Sequence, residues 1–179
     1  MEKEIFLTFD DGPNEYTLKI LEILKSFGTK ATFFVCGENL EHFPEIAKEI
    51  VKDGHTIGNH TFSHSIKFLF PWNFKKEIEK TTQIIQKITG KRTEIFRPPF
   101  GFLTPWLKSY LLENDYKIIL WDIDSKDWKK YPADLIERII LKKIKLNFIV
   151  LFHDCLQTSL ILPKILENLK KEGYVFKKF

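Results

Sequence analysis

Short β-branched and aromatic runs alternate with segments of helical period from one end of the chain to the other. This is the pattern that builds βα units around a parallel sheet. It predicts strands at Ile5 to Phe9, Ala31 to Val35, Thr56 to Asn59, Ile95 to Arg97, Lys117 to Trp121, Asn147 to Phe152 and Tyr174 to Phe176. The helices fall between them, at Thr17 to Phe27, Phe43 to Lys52, Asn73 to Thr89, Pro105 to Asn114, Ala133 to Leu141 and Leu160 to Lys171. A full eight-unit barrel takes roughly 200 or more residues. At 179 residues the chain suits a short, incomplete or distorted barrel better, with an open doubly wound sheet as the alternative. Either architecture puts a site at the C-terminal ends of the strands. No linker, low-complexity segment or fixed-period repeat interrupts the alternation, so residues 1–179 are expected to form one domain. The aromatic stretch Phe68 to Phe74 precedes the longest helix and reads as a packed loop and staple.

Composition narrows this only a little. The apolar fraction of 44% and charged fraction of 29% are those of a globular protein, and they exclude disorder and coiled coil. No window approaches the roughly 18 apolar residues of a membrane span. The N-terminus, M-E-K-E, has no signal-peptide pattern, so a cytoplasmic location is expected. The net charge of +4 comes from scattered lysines rather than a basic stripe, which argues against a nucleic-acid partner. Cys36 and Cys155 fit neither a disulfide framework nor a C-x-x-C site and read as buried thiols, although Cys155 follows His153-Asp154 directly. The oligomeric state is not set by these features.

Five motifs carry chemistry-bearing residues, and all fall just after predicted strands. T-F-D-D-G-P (Thr8 to Pro13) places two carboxylates at a strand end, where alternation points them in different directions. A plain turn is the bland alternative. In G-N-H-T-F-S-H (Gly58 to His64), His60 and His64 are four apart, so a helical turn there would aim both imidazoles at one ion. Two histidines and a carboxylate, Asp10 or Asp11, with one position left for water, form the ligand set of a catalytic zinc site. His42 and His55 read as surface or satisfied core residues. F-R-P-P-F-G (Phe96 to Gly101) is a stiff mount able to aim Arg97 at a carboxylate, or else a rigid loop with a solvated arginine. W-D-I-D-S-K-D-W (Trp121 to Trp128) and I-V-L-F-H-D (Ile149 to Asp154) follow the next two strands, and the latter brings His153 to a ligand crevice. Unrelated turns and core residues would have no reason to share the strand ends.

Taken together, these motifs resemble the NodB-type polysaccharide deacetylases, carbohydrate esterase family four. The resemblance runs from Thr8 to the C-terminus through T-F-D-D-G-P, K-A-T-F-F-V-C-G-E-N (Lys30 to Asn39), G-H-T-I-G-N-H-T-F-S-H (Gly54 to His64), F-R-P-P-F-G, D-S-K-D-W (Asp124 to Trp128) and L-F-H (Leu151 to His153). It implies a distorted (β/α)7 barrel, related to the TIM barrel, that removes N-acetyl groups from amino sugars of a carbohydrate substrate. It also implies a divalent metal, commonly zinc, with cobalt, nickel or manganese as alternatives. By position, Asp11, His60 and His64 resemble the metal ligands, Asp10 the catalytic base, Arg97 its orienting arginine and His153 the catalytic acid. Asp127 is similar to the carboxylate that tunes that acid, and Trp128 and Leu151 to walls of the acetyl pocket. Phe100 stands where the family often has tyrosine, but the role implied there belongs to the backbone N–H. A deformylase or O-acetyl esterase with the same site, and an inactive carbohydrate-binding barrel, are the competing readings.

Overall fold

Strand β1 (Lys3–Asp10) runs through the middle of the sheet, and from Ile5 onward it is buried or nearly so at every position. That is the mark of a strand covered on both faces. The computed structural model describes residues 2–179. On one side of β1 lie β2 (Thr32–Val35), β3 (Thr56–Asn59), β4 (Ile95–Phe96) and β5 (Lys117–Ile118); on the other lie β7 (Phe148–His153) and then β6 (Ile123–Asp124). All pairings are parallel. An eighth strand, β8 (Tyr174–Lys177), pairs with the lower half of β1 along Lys3 to Phe6, while β2 pairs with the upper half along Thr8 to Asp10. The Phe179 amide and carbonyl bond Thr32 and Thr56, fastening this end of the chain beneath β2 and β3.

The helices are α1 (Glu15–Ser26), α2 (Gly37–His42), α3 (Pro44–Lys52), α4 (Phe74–Thr89), α5 (Pro105–Glu113), α6 (Ala133–Lys143) and α7 (Leu156–Lys171). Local chemistry sets their ends. Asn14 and Thr17 form a capping box on α1, Thr104 caps α5 ahead of Pro105, and Gly90 closes α4 in the left-handed conformation that glycine tolerates. The arrangement is a distorted (β/α)7 barrel rather than an open doubly wound sheet.

Three elements differ from the sequence expectation. The six-residue α2 was not expected; a glycine start and a single turn and a half give too little periodicity to read. Helix α7 begins at Leu156 instead of Leu160. The strand expected at Lys117 to Trp121 changes partner midway. Its first part lies on β4, with the Ile119 amide bonded to Phe96, and its continuation reaches β7, with the Asp122 amide bonded to Ile149. A hydrophobic run reports burial but not which neighbour it pairs with. Here one extended segment spans the two edges of the sheet and closes the barrel.

Strand alternation sorts side chains between barrel interior and helix layer. Phe9 stacks with Phe33 and Phe152 at centroid distances of 5.0 and 5.6 Å in the helix-facing core, beside Ile20, Leu24 and Leu162. Thr8 and Asp10 face inward. A second, smaller core around Phe96, Ile78, Leu107 and Tyr116 takes in Phe68 and Phe74. The loop 68–74 is therefore packed through those two rings, whereas Phe70 and Trp72 stand out of it. Cys36 is buried as expected, but Cys155 is only half-buried. His42 is exposed, and His55 is buried with its Nδ1 accepting from the Ala31 amide.

Gly58 occupies an interior position where a Cβ would sit 2.5 Å from Phe34 Cδ1 and 3.0 Å from Ile95 Cγ1. Gly58→Ala is expected to destabilise the fold by about 1–3 kcal/mol through overpacking. Denaturant unfolding measures this, and an unchanged midpoint would refute it.

Candidate active site

The site begins where β1 ends. Asp10 is the last strand residue, and Asp11 takes a left-handed conformation (φ 71°) that brings its carboxylate to the same cleft. Such a conformation is costly for a non-glycine residue. Asn39 Nδ2 bonds the Asp11 carbonyl at 2.6 Å, and Cys36 N bonds the Gly12 carbonyl at 3.0 Å, so β2 and α2 hold the turn. Gly12 has no room for a side chain, since a Cβ would fall 1.9 Å from Asp154 Oδ2. Asp154 is buried, accepts from Thr17 Oγ1 and Asn14 Nδ2, and donates its amide to the Asp10 carbonyl. Its burial pushes its carboxyl up to about 7.

His60 and His64 follow the end of β3, and the chain between them makes no helical turn. Thr61 (φ 67°) and His64 (φ 49°) are left-handed, and this irregular loop folds the rings to a centroid distance of 4.9 Å. Two side chains support it. Asn59 Oδ1 accepts from the Thr61 amide at 2.8 Å, and Glu77 in the first turn of α4 accepts from the Phe62 and Ser63 amides at 3.0 and 2.8 Å and from the Ser63 hydroxyl. The His60 Nδ1 bonds the Arg97 carbonyl at 2.7 Å, which places the proton on Nδ1 and leaves the Nε2 lone pair free. Burial lowers the pKa of His60 to about 3, so the ring is neutral.

Asp11 Oδ1 lies 3.5 Å from His60 Nε2 and 3.4 Å from His64 Nε2, and one ligand atom from each of the three residues falls within 4.8 Å of the others. Asp11 Oδ1 is buried with no hydrogen-bond partner. An orphaned carboxylate oxygen facing two imidazole nitrogens, one fixed as a lone-pair donor, is a donor set able to hold a divalent cation. The three residues thus form one group that could hold a metal ion.

Arg97 sits inside the barrel with no solvent exposure. Its Nη1 bonds Asp10 Oδ1 at 2.8 Å and Thr8 Oγ1 at 2.7 Å, its Nε and Nη2 bond the Ile119 and Leu120 carbonyls, and the guanidinium lies over Phe34. Asp10 Oδ1 is therefore committed, and Oδ2 is the oxygen turned to His60, at 3.6 Å. Burial raises the Asp10 carboxyl above its ordinary value, with Arg97 pulling the other way. The balance keeps the carboxylate more basic than one on the surface.

His153 is the direct register partner of Asp10 across β1 and β7. Its Nδ1 bonds Asp127 Oδ1 at 2.7 Å, leaving Nε2 as the ring's other nitrogen, and its amide bonds Asp127 Oδ2 at 2.7 Å. Thr158 of α7 and the Trp128 amide also donate to Asp127. Burial alone would lower the pKa of His153, but the bond and charge of Asp127 overcome it and raise the value to about 9. Burial likewise pushes Asp127 up, yet these donors hold its carboxyl below the ordinary value. A cleft of about 400 Å3 joins Asp10, Asp11, His60, His64 and His153 to Phe100, Trp121, Asp124, Trp128 and Leu151. Phe100 is left-handed (φ 58°) between Pro99 and Gly101. All ten residues singled out by the motifs line this cleft or, as Arg97 and Asp127, sit directly behind it. Sequence reasoning missed the supports Glu77, Asn39, Asp154 and Thr158. Asp154, standing next to His153, and Asn39, closing the motif Lys30 to Asn39, had a signal; Glu77 and Thr158 had none.

The chain belongs to the polysaccharide deacetylase family, whose model matches residues 1–119. A peptidoglycan-N-acetylglucosamine deacetylase of Bacillus cereus is 39% identical over 97% of this chain, which spans 66% of that protein's length. The peptidoglycan-N-acetylmuramic acid deacetylase PdaC of Bacillus subtilis is 36% identical over 97% of the chain, which spans 37% of PdaC. Among solved structures, the peptidoglycan N-acetylglucosamine deacetylase Bc1960 superposes with a TM-score of 0.95 at 36% identity, over 99% of this chain and 86% of that one. BA3943 of Bacillus anthracis, described as a pseudoenzyme, superposes with a TM-score of 0.93 at 30% identity, over 99% and 64% of the two chains. The fold by itself therefore does not carry activity, which has to be argued from the site.

Asp127→Asn removes the charge that sustains the His153 imidazolium, and the His153 titration followed by NMR should fall from about 9 by roughly one unit or more. The linked stability follows the same sign: the His153–Asp127 pair stabilises the fold fully below the ordinary histidine pKa and loses that contribution as pH rises toward 9. An unmoved titration would show that Asp127 does not tune the ring. Glu77→Ala should expose the Phe62 and Ser63 amides to hydrogen exchange and weaken the affinity of the Asp11, His60 and His64 group for an added divalent cation about 10- to 100-fold. Equal exchange and equal affinity in a zinc titration would remove Glu77 from the site's support.

Proposed function

We propose that residues 1–179 act as a metal-dependent hydrolase domain that removes the N-acetyl group from an amino sugar in a glycan. The observation that carries this reading is the pairing of Asp10 and His153 across β1 and β7, each with its own buried partner, beside the group formed by Asp11, His60 and His64. One carboxylate is kept basic and one imidazole is kept charged, the separation of roles that acid/base chemistry needs. Asp11, His60 and His64 would hold the cation, with zinc the first choice and cobalt, nickel or manganese as alternatives. When bound, it would supply polarisation of the amide carbonyl and a lowered pKa for the attacking water.

The chain's own groups do the rest. Asp10 Oδ2, free while Oδ1 is tied to Arg97, takes the proton of the attacking water. Arg97 keeps that carboxylate ionised and aimed. The Phe100 amide, fixed by its left-handed turn and the flanking Pro99, faces the developing oxyanion, a type of donor typically worth about 3 kcal/mol. Departure of the amine requires a proton because an amide anion is too basic to leave. His153 Nε2 supplies it as the C–N bond breaks, and acetate and the free amino sugar result. Trp128 and Leu151 wall the space for the acetyl methyl.

The relatives are named for peptidoglycan. N-acetylglucosamine units of such a strand are accordingly the proposed substrate, with soluble N-acetylated oligosaccharides favoured if the protein acts in the cytoplasm. Among the described residues no helix is long and apolar enough to cross a membrane. Cell fractionation separates the two settings.

The decisive test measures metal content together with acid release from N-acetyl, N-formyl and O-acetyl sugars. Acetate from the N-acetyl sugars is expected. Formate alone would make the protein a deformylase, and no release from any sugar by the metal-loaded protein would end the hydrolase reading. Asp10→Asn should lower turnover by about 10² or more with the cation still bound, and comparable turnover would defeat its assignment as the base.

A further inference from the structure

The N-terminal end of the barrel holds a second cavity, of about 470 Å3, on the face away from the catalytic residues. Its wall includes Thr56, Ile95 and Lys117, the first residues of β3, β4 and β5, whereas His60 and Arg97 stand just past the opposite ends of β3 and β4. His55, one residue before β3, also lines it and is 5% exposed. The Ala31 amide donates to His55 Nδ1 at 3.1 Å, which makes Nδ1 the acceptor and puts the ring's proton on Nε2. Burial, reinforced by the charge of Lys30, holds the pKa of His55 down at about 4, so the ring is neutral and keeps that tautomer near pH 7. Its Nε2 is buried without a hydrogen-bond partner. A buried donor of this kind has lost its hydration with no return, and an acceptor entering the cavity would restore the bond. The mouth of the cavity is basic. Lys91, Arg92, Lys117 and Lys178 line it as exposed residues, and among the described residues none of the four forms an ion pair. Arg92 and Lys178 bond only backbone carbonyls, those of Asn114 and Gly54. Glu94 is the one acidic side chain on the wall, and the C-terminal poles of α3 and α4 add about half a negative charge each. Four cations outweigh them.

We propose that this cavity is a binding site for a phosphate group, carried on a small organic molecule or a lipid and separate from the catalytic cleft. A tetrahedral dianion accepts bonds from several directions at once, here from the His55 N–H and from the lysine and arginine heads, whereas a carboxylate offers half the charge in one plane. Ile57, Ile85 and Ile95 supply apolar wall for the carrier, and the volume falls within the range of small-molecule sites. Because the cavity and the cleft lie at opposite ends of β3 and β4, filling one leaves the other open. The site therefore holds its ligand whether or not the cleft hydrolyses sugars.

The test titrates the full chain, 15N-labelled at histidine, with inorganic phosphate, glycerol 3-phosphate and acetate, and follows the imidazole signals by NMR. Both phosphates should shift the His55 Nε2 signal saturably, and acetate should act more weakly. Lys91→Ala and Lys117→Ala, at exposed positions, should each raise the Kd for glycerol 3-phosphate about 2- to 5-fold. No saturable shift at His55, shifts confined to His60 and His64, or equal Kd in wild type and both variants overturns the site. A response to acetate as strong as that to phosphate overturns the assignment to phosphate. Co-sedimentation with phosphatidylcholine vesicles containing phosphatidic acid identifies the carrier: binding that Lys91→Ala and Lys117→Ala both weaken assigns a lipid, and a glycerol 3-phosphate response without vesicle binding assigns a soluble phosphate ester.

Discussion

A guanidinium with no access to water organises this barrel. The buried charge of Arg97 is tolerable only because protein oxygens replace its hydration, and those oxygens come from two separate elements: Thr8 and Asp10 from the central strand β1, and Ile119 and Leu120 from the segment crossing between β5 and β6. The cation thus fills the interior at the place where no strand-to-strand ladder closes the ring. Breaking a buried pair of this kind typically costs about 3–5 kcal/mol because the surviving charge is stranded. Closure of the fold and orientation of Asp10 are in this way one constraint, and the Arg97 carbonyl adds a third duty by fixing the His60 tautomer.

Around that fixed centre the chain is bent into conformations it would avoid elsewhere. Asp11, Thr61, His64 and Phe100 all have positive φ; Asp11, His64 and Phe100 line the cleft, and Thr61 lies in the turn between its two histidines. Strain of this sort persists only when the surroundings over-determine it. The surroundings are visible: Asn39 on the Asp11 carbonyl, Asn59 on the Thr61 amide, Glu77 on the next two amides, and Asp154 packed so tightly against Gly12 that nothing larger fits. Rigidity at the site is supplied by side chains from α2, α4, the end of β3 and the turn after β7 rather than by the strained residues themselves.

This division explains what could be read from the sequence. The strand ends were legible because hydrophobic runs stop there and polar motifs begin, so the sequence alone places Asp10, Asp11, His60, Arg97 and His153 at one end of a parallel sheet. The shape of the His60 to His64 loop was not, since four-residue spacing suits a helical turn and the left-handed turns come from contacts with Asn59 and Glu77. Glu77 sits amid other charged residues on α4, and nothing in its local pattern separates a carboxylate that turns inward from solvated neighbours. The partner change within residues 117–124 was hidden for a related reason: periodicity encodes which face is buried, not which strand lies alongside.

The order of pairing on β1 has a bearing on how the molecule is assembled. The strand at the heart of the sheet is synthesised before every other element of this barrel, yet it finds β7 and β8 only after the rest have followed, and the bond from Thr8 to Val150 spans 142 residues. Until then one flank of an apolar strand has no partner, and its open backbone groups are available to other chains. A nascent chain halted before β7 would expose that flank, which makes interrupted translation a stage at which aggregation threatens.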